Sequence, residues 1–170
     1  GPYLIGGYSF GGIVAYEMAR QLTAAGEEVP LLALFDTYAP QEFKRVMKEE
    51  DRFYFPIKHA ILRAAAGWYL KRNKPMPPKL RHFYIIDVYD KAIRNYKAGP
   101  YDGPLTVFKA EASTGPDHMG WSMQRKDMLL IRQVPGNHYD LVKEPNVKAL
   151  AMELGKCIDD VLQKRAVEAV

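Results

Sequence analysis

The sequence predicts an α/β fold: a parallel sheet of about four strands flanked by helices, with a largely helical excursion after the second strand. Three observations predict it. Short runs of strand pattern recur at Tyr3–Ile5, Pro30–Phe35, Pro104–Ala110 and Leu129–Val134, and the continuous apolar run Pro30–Phe35 is typical of a parallel strand covered on both faces. Helical periodicity follows the first run over Ile13–Ala25 and the last from Asn146 to about Lys164. From Gln41 to about Lys97 no two-residue alternation appears, so that segment reads as several helices.

Taken in order, the first strand runs directly into Gly7-Tyr8-Ser9-Phe10-Gly11, which fits G-x-S-x-G, with a helix-forming run from about Phe10. Strand, G-x-S-x-G and helix in this order resemble the nucleophile elbow of α/β hydrolases. A serine on so tight a turn has strained backbone angles, and its neighbours two residues away crowd together. Glycine is therefore expected at both Gly7 and Gly11. The helix that follows points its unsatisfied N–H groups toward the serine oxygen. A phosphate-binding loop has a similar outline, but no Lys or Arg lies within Gly6–Ala19 and G-K-[ST] is absent.

In the first helix Val14, Met18 and Leu22 repeat at four-residue spacing, and Gly26 suits its C-terminal cap. The second strand ends at Asp36. Three prolines within Asn73–Lys79 break the helical segment, after which His82–Lys97 reads as one helix with Ile86, Tyr89, Ile93 and Tyr96 on a shared face. Gly99–Gly103 is a turn into the third strand. A polar loop, Glu111–Gly120, separates it from the fourth, and Pro135-Gly136-Asn137-His138 turns out of that. The last helix places Val147, Leu150, Leu154, Ile158, Val161 and Leu162 on one side.

The 170 residues, 48% hydrophobic, suit one globular domain over 1–170, with 41–103 as a helical insertion. No apolar stretch approaches membrane-spanning length and the N-terminus lacks a signal-peptide pattern, so no membrane association is expected. A single cysteine, Cys157, cannot form an internal disulfide and reads as a core residue of a reducing, cytoplasmic protein. Four histidines and one cysteine at unrelated spacings suggest no metal site. Charge is unevenly distributed: residues 41–103 carry 14 Lys and Arg against 7 Asp and Glu. That excess is either a solvated helical surface or a docking face for an acidic partner. The charges are dispersed and no nucleic-acid-binding motif accompanies them.

A serine hydroxyl needs a base to take its proton, and the base needs an acid to fix its tautomer. In α/β hydrolases these follow in the order Ser, Asp or Glu, His. Of the four histidines, His138 alone ends a strand. His59 and His82 fall in the helical insertion, and His118, after the third strand, is the rival. Asp36 and Asp117 both satisfy the requirement for the acid, because parallel strands bring their carboxyl ends to one sheet edge.

Three separated motifs resemble the thioesterase domains that end non-ribosomal peptide and polyketide synthases. They are Gly1–Leu22 (GPYLIGGYSFGG…AYEMARQL), Leu34-Phe35-Asp36, and Val134–Pro145 (VPGNHYDL…EP). Tyr101–Ala110 (YDGP…FKA) matches the family's strand entry, and 41–96 is the least specific part. The resemblance implies Ser9 as nucleophile, His138 as general base and Asp36 as orienting acid, with the Phe10 amide in the oxyanion hole. It further implies release of an acyl, peptidyl or polyketide chain from the 4'-phosphopantetheine thioester of a carrier protein, by hydrolysis or cyclisation, without an intrinsic cofactor. The insertion would be the lid over the acyl channel, and its aromatic residues Phe53, Tyr54, Phe55, Trp68 and Tyr69 are candidates to line it. A stand-alone editing thioesterase, a general carboxylesterase and a non-catalytic fragment in carrier docking are the alternatives. The family's domains begin several strands before the elbow and take a second oxyanion donor from there. An N-terminal part of the same fold is therefore an expected partner.

Overall fold

The structure, a computed structural model, describes residues 1–50, 56–123 and 126–168. Phe53, Tyr54 and Phe55, candidates for the acyl channel, lie outside the described residues. The chain forms two compact units, one of Gly1–Phe43 with Lys97–Val170 and the other of Lys44–Tyr96.

The larger unit holds a four-stranded sheet of β1 (Leu4–Tyr8), β2 (Leu31–Phe35), β3 (Leu105–Ala110) and β4 (Leu129–Val134). The strands lie in the order β1-β2-β3-β4, and every pair is parallel. Registers such as Tyr8↔Phe35, Phe35↔Phe108 and Phe108↔Arg132 align the strands' carboxyl ends. In the two central strands the continuous apolar runs have the physical cause expected of them, since four residues of β2 and all six of β3 are buried. By contrast, β1 and β4 are only partly covered, with Leu4 and Leu130 exposed.

Helix α1 (Phe10–Ala24) covers one face. A Cβ on Gly7 would strike the backbone of Gly11. Helix α5 (Asn146–Glu168) covers the other, where Leu150 and Cys157 join Leu31, Ala33, Phe108, Ala110, Val134 and Leu141 in the core, with Tyr8 and Phe35 packed against them. Cys157 is buried with a free thiol. At the C-terminal end of α1, Gly26 takes φ +83°, a value that favours glycine.

Two helical faces differ from expectation. In α1 the buried residues are Gly12, Ile13, Ala15, Tyr16 and Ala19, while Val14 and Met18 are exposed. Close approach to the sheet selects small residues: a Cβ on Gly12 would collide with the Thr37 side chain. The conspicuous large apolar residues therefore lie outside the buried stripe. In α5, Leu162 is likewise exposed.

Helix α2 (Pro40–Glu50) crosses the boundary between the units, and the second unit contains α3 (Pro56–Lys71) and α4 (Pro78–Asn95). Helix α4 begins four residues before the expected His82. Pro78 stands at its start, where a missing N–H costs nothing and the fixed φ suits the helix. Its buried positions are Asp87 and Ile93, whereas Ile86 and Tyr89 of the expected apolar face are exposed. The cause is an ion cluster. Asp87 accepts from Arg63 of α3 at 2.5 and 2.8 Å and meets Lys91 Nζ at 2.7 Å, so a carboxylate sits where periodicity places apolar side chains. These bonds hold its carboxyl below the usual aspartate range.

Candidate active site

Every strand delivers one polar side chain just beyond its carboxyl end: Ser9 after β1, Asp36 after β2, Ser113 after β3 and His138 after β4. Parallel pairing with aligned ends makes these four neighbours. His138 Nε2 lies 3.0 Å from Ser9 Oγ, and its Nδ1 lies 2.7 Å from Asp36 Oδ2. One imidazole thus bridges the hydroxyl and the carboxylate, although the three residues are separated by as many as 129 positions.

Ser9 adopts φ 54° and ψ −123°, backbone angles that are costly for a residue with a side chain. The surrounding bonds hold it there. Its N–H donates to the Phe35 carbonyl at 3.0 Å, and its carbonyl accepts from Gly12 N–H at 3.0 Å. The Thr37 hydroxyl lies 3.1 Å from both the Ser9 and Phe35 carbonyls. Glycine is required at Gly7 and at Gly12, but at Gly11 a Cβ would meet open space, which corrects the expectation of crowding there.

Asp36 is also in the left-handed region, at φ 44°, and is 1% exposed. Its Oδ1 accepts from the Ala110 amide at 3.0 Å, and its Oδ2 accepts from the Ser113 hydroxyl at 2.8 Å. Burial pushes its carboxyl up, but the bonds from His138, Ala110 and Ser113 outweigh burial and hold it below the ordinary aspartate range. The group beside His138 is therefore a carboxylate at neutral pH.

The loop that presents His138 is tied to α5 through Asp140. This carboxylate accepts from Asn137 N–H and Asn137 Nδ2, each at 2.6 Å, and from Asn146 Nδ2 at 3.1 Å. Gly136 approaches the same cluster closely at φ +97°. The alternative residues have other surroundings. Asp117 pairs with Lys109 Nζ at 3.0 Å, His118 Nδ1 accepts from Gly120 N–H at 3.0 Å, and His59 packs edge-on against Phe83. His82 lies exposed in α4. Among the described residues no group of His, Cys, Asp and Glu could hold a metal ion, and no helix is long and apolar enough to cross a membrane.

The comparisons with known proteins bear on what this edge does. Residues 1–157 match the family described as thioesterase domain. The chain belongs to the thioesterase domain family. It is 32% identical over 177 residues to the vanchrobactin synthetase VabF of Vibrio anguillarum, covering 98% of this chain but 6% of that protein. To the malpibaldin synthetase of Mortierella alpina it is 45% identical over 176 residues, covering 96% of this chain and 3% of that one. This thioesterase domain thus spans a small fraction of these curated relatives. Among solved structures, the NocB thioesterase domain in covalent complex with a fluorophosphonate nocardicin G analog shares the fold. Its TM-score is 0.65 at 24% identity, over 93% of this chain and 66% of that one. The four-domain nonribosomal peptide synthetase AB3403 matches with TM-score 0.65 at 27% identity, over 92% of this chain and 14% of that one.

Within this thioesterase domain, several residues that shape the site were absent from the sequence reading. Ser113 lies in a polar loop without periodicity, and Thr37 and Gly12 meet only once α1 is packed. Asp140 stands two residues after His138 in a motif quoted for the histidine alone. The nearest sequence signal is the run Gly136-Asn137 with Asp140 three residues on, since Asn and Asp in turns commonly bond the local backbone.

Proposed function

We propose that this thioesterase domain releases an acyl, peptidyl or polyketide chain from the phosphopantetheine thioester of a carrier protein through an acyl-enzyme at Ser9. The observation that carries the reading is the unbroken chain from Ser9 Oγ through the His138 imidazole to the buried Asp36 carboxylate.

In this mechanism Ser9 Oγ attacks the thioester carbonyl while His138 Nε2 takes its proton. Asp36 keeps Nδ1 protonated and stabilises the imidazolium that forms. The negative oxygen of the tetrahedral intermediate is assigned to the amide of Phe10, first residue of α1. Collapse expels the thiolate, which takes the proton from His138 and leaves Ser9 acylated. Water, or an amine or hydroxyl of the chain itself, then attacks the ester and returns the proton to Ser9 through His138. The phosphopantetheine arm is part of the substrate, and the carrier domain is the partner.

The insertion over 41–103 is proposed as the lid. Its turn between α3 and α4 supports a role in binding the carrier: Lys71, Arg72, Lys74, Lys79 and Arg81 lie exposed between Arg63 and Asp87 without an intervening acid. Arg72 and Lys74 flank the half-exposed Trp68 ring at 4.5 and 5.5 Å from its centroid. That the similar proteins include multidomain synthetases favours an integrated release domain over a stand-alone editing enzyme, and a cytoplasmic setting belongs to the same proposal.

The test is single-turnover release from a carrier loaded with an acyl-phosphopantetheine. Free thiol should appear with the intact protein and fail to appear with Ser9→Ala. A carrier that binds equally well but is never unloaded by the unmutated protein would leave only the docking role.

A further inference from the structure

Two bonds fix the imidazole of His138 in its own plane, one at each ring nitrogen. Neither resists a tilt of the ring about the line that joins those nitrogens. A third contact does. Tyr8 lies against the His138 ring with centroids 5.1 Å apart and planes 29° from parallel, and its hydroxyl donates to the His138 backbone carbonyl.

The placement follows from the strand. Gly7 faces α1, so Tyr8, the next residue, points to the opposite side of the sheet, where it packs against the core beneath α5. The loop after β4 carries His138 over that same side. Tyr8 is thus backed by packed side chains and braces both the ring and the main chain of His138. The groups around the imidazole are Asp36 and Ser9 at its nitrogens, Tyr8 on its face, and Tyr139 edge-on at 5.5 Å. Burial first, then the charges of Asp36, Tyr139 and Asp140, push the Tyr8 phenol up, so it is a neutral donor at working pH.

We infer that Tyr8 is a positioning residue for the reaction: its ring holds the imidazole in the plane of Ser9 and Asp36 and stabilises the imidazolium formed when Ser9 gives up its proton. The inference rests on the proposed roles of Ser9 and His138. An aromatic face attracts an imidazolium more strongly than the neutral ring stacked on it, so the contact strengthens as charge develops on His138. The part of an interaction that is gained only in the transition state acts on kcat and leaves KM alone.

The test compares Tyr8→Leu, Tyr8→Met, which fills similar volume without a ring, and Tyr8→Phe, which keeps the ring and loses the tether. All are assayed in the intact protein, well below each variant's melting temperature, with a short soluble acyl thioester and with a fluorophosphonate. Removal of the ring should lower kcat by about tenfold with KM unchanged, between the sizes of an exposed and a fully desolvated cation–π contact, as suits a half-buried imidazole. Labelling of Ser9 should slow in parallel. Tyr8→Phe should restore kcat to within about threefold of the unmutated protein, the loss expected for one hydrogen bond. Unchanged kcat in both ringless variants, a rise in KM alone, or a Phe variant no better than Met would overturn the inference. Ser9→Ala, run alongside, separates the two claims: if it still turns over, the proposed function fails, and if it is dead while the Tyr8 series is flat, only the role of Tyr8 fails.

Discussion

The hydroxyl of Ser113 donates to Asp36 Oδ2 at 2.8 Å, and that same oxygen meets His138 Nδ1 at 2.7 Å. One carboxylate oxygen therefore serves both the histidine and a serine from the β3 loop. A hydrogen bond to a buried charge contributes about 1.5–3 kcal/mol, so Ser113→Ala should lower the melting temperature measurably at neutral pH. The sign with pH follows from Asp36. Its folded carboxyl titrates below its unfolded one, so the stability it confers is complete above the ordinary aspartate range and is lost as pH falls through the folded value. The melting-temperature gap between Ser113→Ala and the unmutated protein should accordingly be largest near neutrality and close in strong acid. Calorimetry across that range checks it, and a gap that widens in acid would contradict it.

The two candidate acids should separate cleanly. Asp36→Asn keeps the shape but loses the charge beside His138, and turnover should fall by about 10⁴. Asp117 sits 66% exposed over the buried Lys109. Asp117→Asn, at a residue with no described bond to Ser9 or His138, should leave kcat within about twofold. Steady-state kinetics of both variants on one soluble thioester distinguish the roles.

Asp140 offers a third test, since it binds two residues of the histidine loop region without touching Ser9 or Asp36 in any described bond. Asp140→Ala frees the loop from α5. Misplacement of a reacting group by about 1 Å can cost about 10²-fold, so kcat should drop by that order while Asp140→Asn, able to keep part of the network, loses less.

Much of this arrangement was readable before any coordinates. That Ser9 and His138 share one sheet edge was legible because each follows a run of strand length, and parallel strands collect such positions. The same argument admitted Asp117 beside Asp36, and the family resemblance alone favoured Asp36. The boundaries of β4 were legible for the same reason. Other features depended on packing that a linear pattern does not carry. Val14 and Met18 outrank Ala15 and Ala19 in hydrophobicity, yet α1 approaches the sheet through the smaller residues, as the contact of Gly12 with Thr37 requires. Asp87 occupies a buried position on α4 because Arg63 reaches it from a different helix. Ser113 acquires its partner 77 residues away, with nothing in its own loop to announce it.

The basic turn between α3 and α4 predicts how salt acts. Long-range attraction is screened over about 8 Å at physiological ionic strength. Raising salt should lower kcat/KM for a carrier-bound substrate several-fold more than for a soluble thioester, and Lys74→Glu with Lys79→Glu should reduce that difference. Equal salt dependence for both substrates would return the turn to an ordinary solvated surface.

The central claim is that Ser9 is the nucleophile, and intact-protein mass spectrometry after fluorophosphonate treatment tests it most directly. One adduct should form, peptide mapping should place it on Ser9, and Ser9→Ala should take up none. An adduct on any other residue, or thioester turnover that survives in Ser9→Ala, would contradict the account.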